Sequence, residues 1–187
     1  MSKLFIVITL LSTFLFSNFI GMNDGARSLA MGNAYTALSD ESIAIFYNPA
    51  GLARINQLDF KASRQNLFGI SNLQSDMIAI AVPTPVLHTG LAIQKISLVD
   101  AYSEQVFYVS SAGIVKLNQI PIRLGLSLKY ESAKVEGYDG VNNPKEFDLD
   151  VGAIIDINQN LFFGYMAKNI LEPEFKFISV GDKLNIK

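Results

Sequence analysis

The chain contains no cysteine, one histidine and few charged side chains in its 187 residues. Without cysteine it cannot form a thiolate zinc site, a lipoprotein anchor or a cysteine nucleophile. The histidine, His88, lies beside a predicted turn that contains Pro83 and Pro85, and it has no evident partner. A turn residue is therefore a better interpretation of His88 than a catalytic base or a metal ligand. No phosphate-binding glycine motif is present either, so the sequence predicts a protein that is not an enzyme and that needs no cofactor.

Charged residues make up only 17% of the chain, with 15 basic and 17 acidic side chains. No basic stripe with interleaved aromatic residues is present, so we expect no nucleic-acid partner. The neighbouring carboxylates Asp148 and Asp150 lack any supporting motif for glycosidase chemistry. Half of the residues are nevertheless hydrophobic, which is a high proportion for a soluble domain.

Beyond residue 20, no stretch approaches the roughly 18 uncharged apolar residues that a membrane-spanning helix needs. At the N-terminus, however, Lys3 precedes an apolar run over residues 4–16. This order is typical of a secretory signal peptide, and residues 1–21 are predicted to be one. An uncleaved helical anchor over residues 4–20 is the competing interpretation, and the cleavage position stays open.

Residues 22–56 form a distinct block of small and apolar residues punctuated by glycine. Ser39 or Asp40 is predicted to cap a short helix there. Pro49 is predicted to end this helix, because proline blocks helical continuation and pushes Asn48 toward extended geometry. We expect a compact segment with one or two short helical turns.

From about Gln57 the sequence changes to a period of two, which is the pattern of strands with unlike faces. In residues 120–131 and 146–157, apolar residues alternate with Gly, Ser and charged residues, with Ile154 as the single exception. Weaker alternation predicts five further strands, at residues 57–66, 75–82, 88–98, 105–115 and 161–167. Residues 175–178 are a candidate eighth strand.

The alternation predicts an all-β protein, an antiparallel transmembrane β-barrel with about seven or eight strands in residues 57–187. Membrane strands need about 9–11 residues, whereas strands of soluble proteins average about 5–6. The polar stretch 132–145 fits a long outer loop, and residues 116–119 and 158–159 fit short periplasmic turns. A soluble lipocalin-like binding protein, with the apolar residues turned inward, is the alternative that the same pattern allows.

Several motifs resemble a known family. Residues 25–34 (GARSLAMGNA) and 46–53 (FYNPAGLA) are similar to the start of mature PorV/PorQ-type outer-membrane proteins, which are related to FadL-type fatty-acid transporters. Residues 125–130 (GLSLKY) and 147–153 (FDLDVGA) agree with this resemblance. It implies a larger barrel, of about 14 strands, whose N-terminal segment folds inward as a plug. Asn48, Pro49 and Ala50 match the NPA element of that plug, although local chemistry alone explains Asn48-Pro49 equally well as a helix stop.

Five charged residues are candidates for the lumen. Arg123, Lys129 and Glu131 share the polar face of one predicted strand, and Asp148 and Asp150 share that of the next. One interpretation is a charged lumen lining that shapes solute passage or holds the plug. The other is a solvated face whose opposite charges pair across the hairpin, with about 0.2–1 kcal/mol per pair.

The resemblance implies a location in the outer membrane of a Gram-negative bacterium and two possible functions. FadL relatives pass hydrophobic small molecules, whereas PorV relatives work with a protein-secretion machine and its secreted cargo proteins. Membrane lipid is an expected partner in both cases. Because an open half-barrel leaves unsatisfied backbone groups in lipid, we expect a truncated sequence or, less favoured, a barrel that closes by oligomerising.

Overall fold

A computed structural model describes residues 25–118, 120–139, 142–173, 175–177 and 185–186. The predicted signal peptide at residues 1–21 lies outside this range. The described chain is all-β, and seven long antiparallel strands form one curled sheet with the shape of a half-barrel. No helix in the described ranges is long and apolar enough to cross a membrane.

The seven strands follow one another in the sheet as an antiparallel meander. They are β1 (Asp59–Asn66), β2 (Leu73–Val82), β3 (His88–Leu98), β4 (Tyr102–Leu117), β5 (Ile120–Val135), β7 (Lys145–Asn158) and β8 (Leu161–Ala167). The short strands β6 (Tyr138–Asp139) and β9 (Asn185–Ile186) form a separate pair. The two edges of the large sheet are therefore β1 and β8.

The seven predicted strands are confirmed, and β3 and β8 have the predicted bounds. Strands β4 and β5 are 16 residues each, longer than predicted, because their pairing continues through polar residues as far as Tyr102 and Val135. The prediction of an eighth strand at residues 175–178 is wrong for residues 175–177, which form no strand. Residue 178 lies outside the described range. Between β8 and this region, Asn169 and Glu172 adopt left-handed φ angles of 56° and 50°, which interrupts extended geometry.

Residues 25–56, here called the N-terminal segment, consist of turns and short helices. These helices are α1 (Ala26–Ala30), α2 (Ala44–Tyr47) and a 3-10 helix (Pro49–Arg54). The predicted cap at Ser39 or Asp40 is wrong, because α2 begins at Ala44 and has no side-chain cap. The hydroxyl of Ser39 instead donates to the carbonyl oxygen of Tyr35 at 2.9 Å.

Pro49 both ends α2 and opens the 3-10 helix. Asn48 before it is extended, with φ −165° and ψ 104°, as expected for a residue that precedes proline. Proline suits the first position of a helix because that position needs no N–H donor. The Asn48-Pro49 pair therefore redirects the chain and does not merely stop a helix.

The N-terminal segment lies against the inner face of the sheet and forms the hydrophobic core with it. Phe46 packs edge-to-face on Tyr108 of β4, with ring centroids 5.1 Å apart. Each large apolar side chain that is buried contributes about 1.5–3 kcal/mol. The main buried apolar residues are Tyr35, Ile43, Ile45, Phe46, Tyr47 and Leu52 of the segment and Met77, Ala79, Ala81, Val106, Tyr108 and Ala112 of the sheet.

Glycines on the inner face let the backbone of the N-terminal segment approach the strands. Gly125 of β5 and Gly152 of β7 are register partners. A Cβ atom added at Gly125 would lie 2.1 Å from the nitrogen of Ala50, and one at Gly152 would lie 2.0 Å from Oδ1 of Asn48. The N-terminal segment comes similarly close to two further strand glycines, Gly90 and Gly164. The absence of a side chain at these positions creates the space that the segment occupies.

The outer face changes from polar to apolar along one line of the register. Residues that face outward on neighbouring strands form rows across the sheet. One row is entirely polar: Arg64, Asp76, Lys95, Gln105, Ser132 and Lys145. The next row toward the β4–β5 turn is Ala62, Ile78, Ile93, Phe107, Tyr130 and Phe147, and the one after it is Phe60, Ile80, Leu91, Val109, Leu128 and Leu149. The line between the polar row and the first apolar row is here called the polar border. It crosses six strands without a break.

Replacing Gly125 with alanine tests the close approach. We expect Gly125→Ala to lower the free energy of unfolding by about 1–3 kcal/mol, because the new methyl group meets backbone atoms that cannot move aside. Gly113→Ala is the matched control, since its Cβ would meet only the flexible end of Leu87, at 3.0 Å. Urea unfolding of both variants measures the difference, and equal stabilities would contradict the packing described here.

Candidate functional site

Asn48 joins the N-terminal segment to the sheet. Its side chain is fully buried, and Nδ2 donates to the carbonyl oxygens of Thr36 at 2.9 Å and of Ala153 and Tyr165 at 3.2 Å each. Its Oδ1 accepts the N–H of Ala50 at 3.1 Å. A primary amide supplies both the donors and the acceptor that this position needs. One side chain thus links two parts of the segment to β7 and β8.

Pro49 and Ala50, the other residues of the NPA element, are buried beside Asn48. Both lie over Gly125, within the distance at which a strand side chain would collide with them. Neither carries a group that can transfer protons or bind a metal. The three residues therefore form a structural contact between the segment and the sheet.

Four charged side chains of β5 and β7 form a second contact, here called the Lys129 cluster. Lys129 Nζ lies 2.9 Å from Asp150 Oδ1, 3.0 Å from Asp148 Oδ2 and 3.2 Å from Glu131 Oε1. These four residues are at most 3% exposed, so a solvated face does not describe them. Buried charges cost several kcal/mol each to desolvate and are tolerated only with partners, which here they provide for one another.

The turn after β8 covers the Lys129 cluster. Asp148 Oδ1 accepts the N–H of Leu171 at 3.0 Å, and Asp150 Oδ1 accepts that of Asn169 at 2.8 Å. The ammonium group of Lys129 also donates to the side-chain oxygen of Asn169. Hydrogen bonds to charged groups are stronger than those between neutral groups. These bonds hold the turn inward and explain why the chain leaves the sheet after β8.

A separate ionic contact joins the 3-10 helix to the opposite end of β5 and β7. Arg54 Nη2 lies 2.7 Å from Asp156 Oδ1, and Nη1 donates to the carbonyl oxygen of Ala37 at 2.7 Å. Arg123 contacts the other carboxylate oxygen of Asp156. The guanidinium of Arg54 also lies 4.8 Å from the ring centroid of Phe162. Asp156 is thus held between one guanidinium from the segment and one from the sheet.

Tyr35 organises the N-terminal segment itself. Its hydroxyl donates to Asp40 Oδ1 at 2.8 Å, and Arg27 Nη1 lies 2.5 Å from the same oxygen. Burial, together with the hydrogen bond to the Asp40 carboxylate, raises the pKa of Tyr35 well above its usual range. The hydroxyl therefore stays protonated at physiological pH and acts as a structural donor.

A small cavity lies between the N-terminal segment and strands β3 to β5. Its volume is about 20 Å³, which is enough for roughly one water molecule. Lys168 reaches it from the end of β8 and donates from Nζ to the carbonyl oxygen of Phe46 at 2.6 Å. Charged and polar residues line much of it, among them Glu104, Gln94, Lys129, Glu131, Asp150 and Lys168. Within the described ranges, no group of three or more Asp, Glu or His side chains is arranged to hold a metal ion.

The residues singled out from the sequence all lie at the inner face. The structure brings Lys129, Glu131, Asp148 and Asp150 together and places Arg123 in the Asp156 contact. Sequence reasoning did not identify Arg54, Asp156 or Lys168 as members of the site. Asp156 follows the same alternation as Asp148 and Asp150, so that pattern was the available signal. His88 is the first residue of β3, next to the turn that joins β2 to β3.

Asn48→Asp tests the amide contact. The change removes the Nδ2 donor and turns a carboxylate oxygen toward three carbonyl oxygens, so we expect the free energy of unfolding to fall by about 3 kcal/mol or more. Asn66→Asp is the isosteric control, because Asn66 is exposed and its side chain makes no cap hydrogen bond. Urea unfolding, with limited proteolysis of the N-terminal segment as a second readout, compares the two variants. An equal effect of both would contradict the role given to Asn48.

Comparison with known proteins finds no family model, no curated protein and no solved structure that matches this chain. The resemblance to PorV/PorQ-type proteins therefore stays a prediction from the motifs in which it was found. The contacts of the inner face do not depend on that resemblance.

Proposed function

We propose that this chain is a non-enzymatic β-barrel protein of the bacterial outer membrane, closed on its inner side by the N-terminal segment as a plug. The observation that carries the proposal is the outer face of the sheet. On β5 the outward residues from Ile120 to Tyr130 are all apolar or aromatic. Leu124, Leu126 and Leu128 among them are 46–47% exposed. A lipocalin-like barrel would bury this face instead.

The size of the apolar face fits a bilayer. Ten residue steps along β5 span roughly 33 Å at about 3.3 Å per residue. With the strand tilt of roughly 35–45° usual in membrane barrels, this corresponds to a height of about 25 Å. The apolar band of outer-membrane barrels has about this height.

Aromatic residues next to the polar border support the same proposal. Phe107, Tyr130 and Phe147 are outward neighbours on β4, β5 and β7, with ring centroids 6.5 Å and 5.1 Å apart in that order. They lie one row below Gln105, Ser132 and Lys145. Aromatic girdles occur at this level in membrane barrels, where apolar and polar surroundings meet.

Of the two functions that the resemblance implies, the inner face favours participation in protein secretion. The N-terminal segment covers the concave side of the sheet, and the cavity described there has a volume of about 20 Å³ with both charged residues, such as Lys129 and Glu131, and apolar ones, such as Phe46, in its lining. A cavity of this size holds roughly one water molecule and leaves no room for a larger solute. We therefore favour a barrel that binds a secretion machine or secreted proteins at its surface, and the FadL-type channel has no specific support in this geometry.

The open edges of the sheet add a requirement. In lipid, the unpaired backbone groups of β1 and β8 would each cost several kcal/mol. The proposed protein must therefore close through further strands or through assembly with other chains. Membrane insertion and closure are separate properties and need separate tests.

Leu126→Arg tests whether the outer face contacts lipid. Near the middle of a bilayer, an outward arginine is expected to lower the free energy of unfolding by about 2–4 kcal/mol. Ser132→Arg on the same strand and face is the control, and a change close to zero is expected there because Ser132 lies on the polar border. Unfolding of the protein folded into lipid vesicles measures both. If the two variants are equally stable, the apolar face does not contact a membrane.

Heat-modifiability on a denaturing gel tests closure, using the full chain recovered from an outer-membrane fraction. A closed barrel resists unheated detergent because its strands pair with one another, so its migration changes after boiling. A shift would indicate closure, by this chain alone or with copies of itself. Membrane-bound protein without a shift would indicate a sheet that awaits additional strands. Recovery in the soluble periplasmic fraction would overturn the proposed function.

A further inference from the structure

The outward side chains of the polar row, which lies along the polar border, carry mainly positive charge. Its outward ionisable residues include Arg64, Lys95 and Lys145, and Asp76 is the one acidic residue in that row. The neighbouring row on the polar side adds Lys134, which is paired with Glu136 at 2.6 Å. The three carboxylates of Glu131, Asp148 and Asp150 lie on the inner face in the Lys129 cluster. The outward polar row, beside the apolar rows, therefore carries more basic than acidic side chains.

A groove on the outer face of β1 to β3 combines this basic charge with an apolar floor. It has a volume of about 540 Å³, and its outward-facing lining residues fall on both sides of the polar border. The apolar ones are Ala62, Ile78 and Ile93, and the ionisable ones are Arg64, Asp76 and Lys95. The groove therefore offers two chemically different halves, arranged one above the other along the strands.

The ionisable half is organised around Asp76. Its carboxylate accepts two hydrogen bonds from Arg64, with Nε at 2.5 Å and Nη2 at 3.0 Å, which fixes the orientation of the guanidinium. Lys95 is the register partner of Asp76 on the other side and forms no ion pair with any residue in the described part of the chain. Arg64 and Lys95 thus flank one strand and lie about 10 Å apart at the backbone, given a strand spacing of about 4.8 Å.

We propose that this groove binds a phosphate-bearing lipid of the outer leaflet. The acyl chains lie against Ala62, Ile78 and Ile93. The phosphate accepts hydrogen bonds from Lys95 Nζ and from Nη1 of Arg64, the guanidinium nitrogen that makes no bond to Asp76. Guanidinium and ammonium groups are the side chains that suit phosphate. Their place on the polar border is the level at which headgroups meet the hydrocarbon of a bilayer. The inference rests on the proposed function, because the groove faces lipid only if the sheet lies in a membrane.

Lys145 provides an internal control for this proposal. It belongs to the same row and also forms no ion pair in the described part of the chain, but it lies on β7, outside the groove. A basic residue that merely extends toward headgroups would contribute charge without forming a site. Lys95→Gln and Lys145→Gln therefore remove the same charge at the same level, and only the first removes it from the groove.

The test uses the full chain in vesicles of phosphatidylcholine mixed with phosphatidic acid, followed by native mass spectrometry of the lipids it retains. We expect the wild-type protein to retain one phosphatidic acid in preference to phosphatidylcholine. Lys95→Gln should reduce this preference about tenfold, because it removes a charge-assisted hydrogen bond to the phosphate. Lys145→Gln removes only general surface charge and should reduce the preference several-fold less than Lys95→Gln does. Both positions are exposed, so circular dichroism is expected to be the same for all three proteins.

Two results would overturn the proposal in distinguishable ways. If the protein floats with the vesicles but shows no preference, or if both variants lose it equally, the groove is not a lipid site and the membrane location stands. If the protein does not float with vesicles of either composition, the proposed function fails and the inference fails with it.

Discussion

The contact of residues 48–50 with β5, β7 and β8 determines the arrangement of the whole inner face. Backbone atoms of the N-terminal segment come so close to Gly125, and the side chain of Asn48 comes so close to Gly152, that neither strand position has room for a side chain. Such a close approach excludes water, so the polar backbone groups at this contact need hydrogen-bond partners within the protein. The Asn48 amide bonds to a backbone N–H of the segment and to carbonyl oxygens of β7 and β8. The apolar contacts of Phe46 and its neighbours can form only because this approach is possible.

Two groups of paired charges lie on either side of that contact. The Lys129 cluster lies toward the polar border, and the contact of Arg54 with Asp156 lies toward the β4–β5 turn. The Lys129 cluster is buried, where unpaired charge is costly, whereas the side chains of Arg54 and Asp156 are 13% and 21% exposed. If the N-terminal segment were shifted along the sheet, Asp156 would lose its contact with Arg54. This ionic contact therefore favours one position of the segment on the sheet.

Much of the fold is predictable because each strand meets two different environments, and a period of two records this directly. The exception that the alternation left, Ile154, has a physical reason, since it is fully buried on the inner face, where the segment covers the sheet. The extended geometry of Asn48 follows from Pro49 alone. The contact between Arg54 and Asp156 was not predictable, because it joins residues 102 positions apart and depends on where the segment lies. The turn after β8 was missed for a related reason, since the carboxylates that hold it belong to β7 and are recognised only once the register is known.

The number of strands in the described sheet has a consequence for the barrel proposed above. In an antiparallel meander of seven strands, the first and the last run in the same direction. If two copies lay side by side with the same orientation in a membrane, β8 of one copy would therefore run parallel to β1 of the other. Bacterial barrels have an even number of strands and antiparallel neighbours throughout. A closed antiparallel barrel thus requires an odd number of added strands, so that the total is even. This condition applies to any segment or partner that supplies those strands, whatever its sequence.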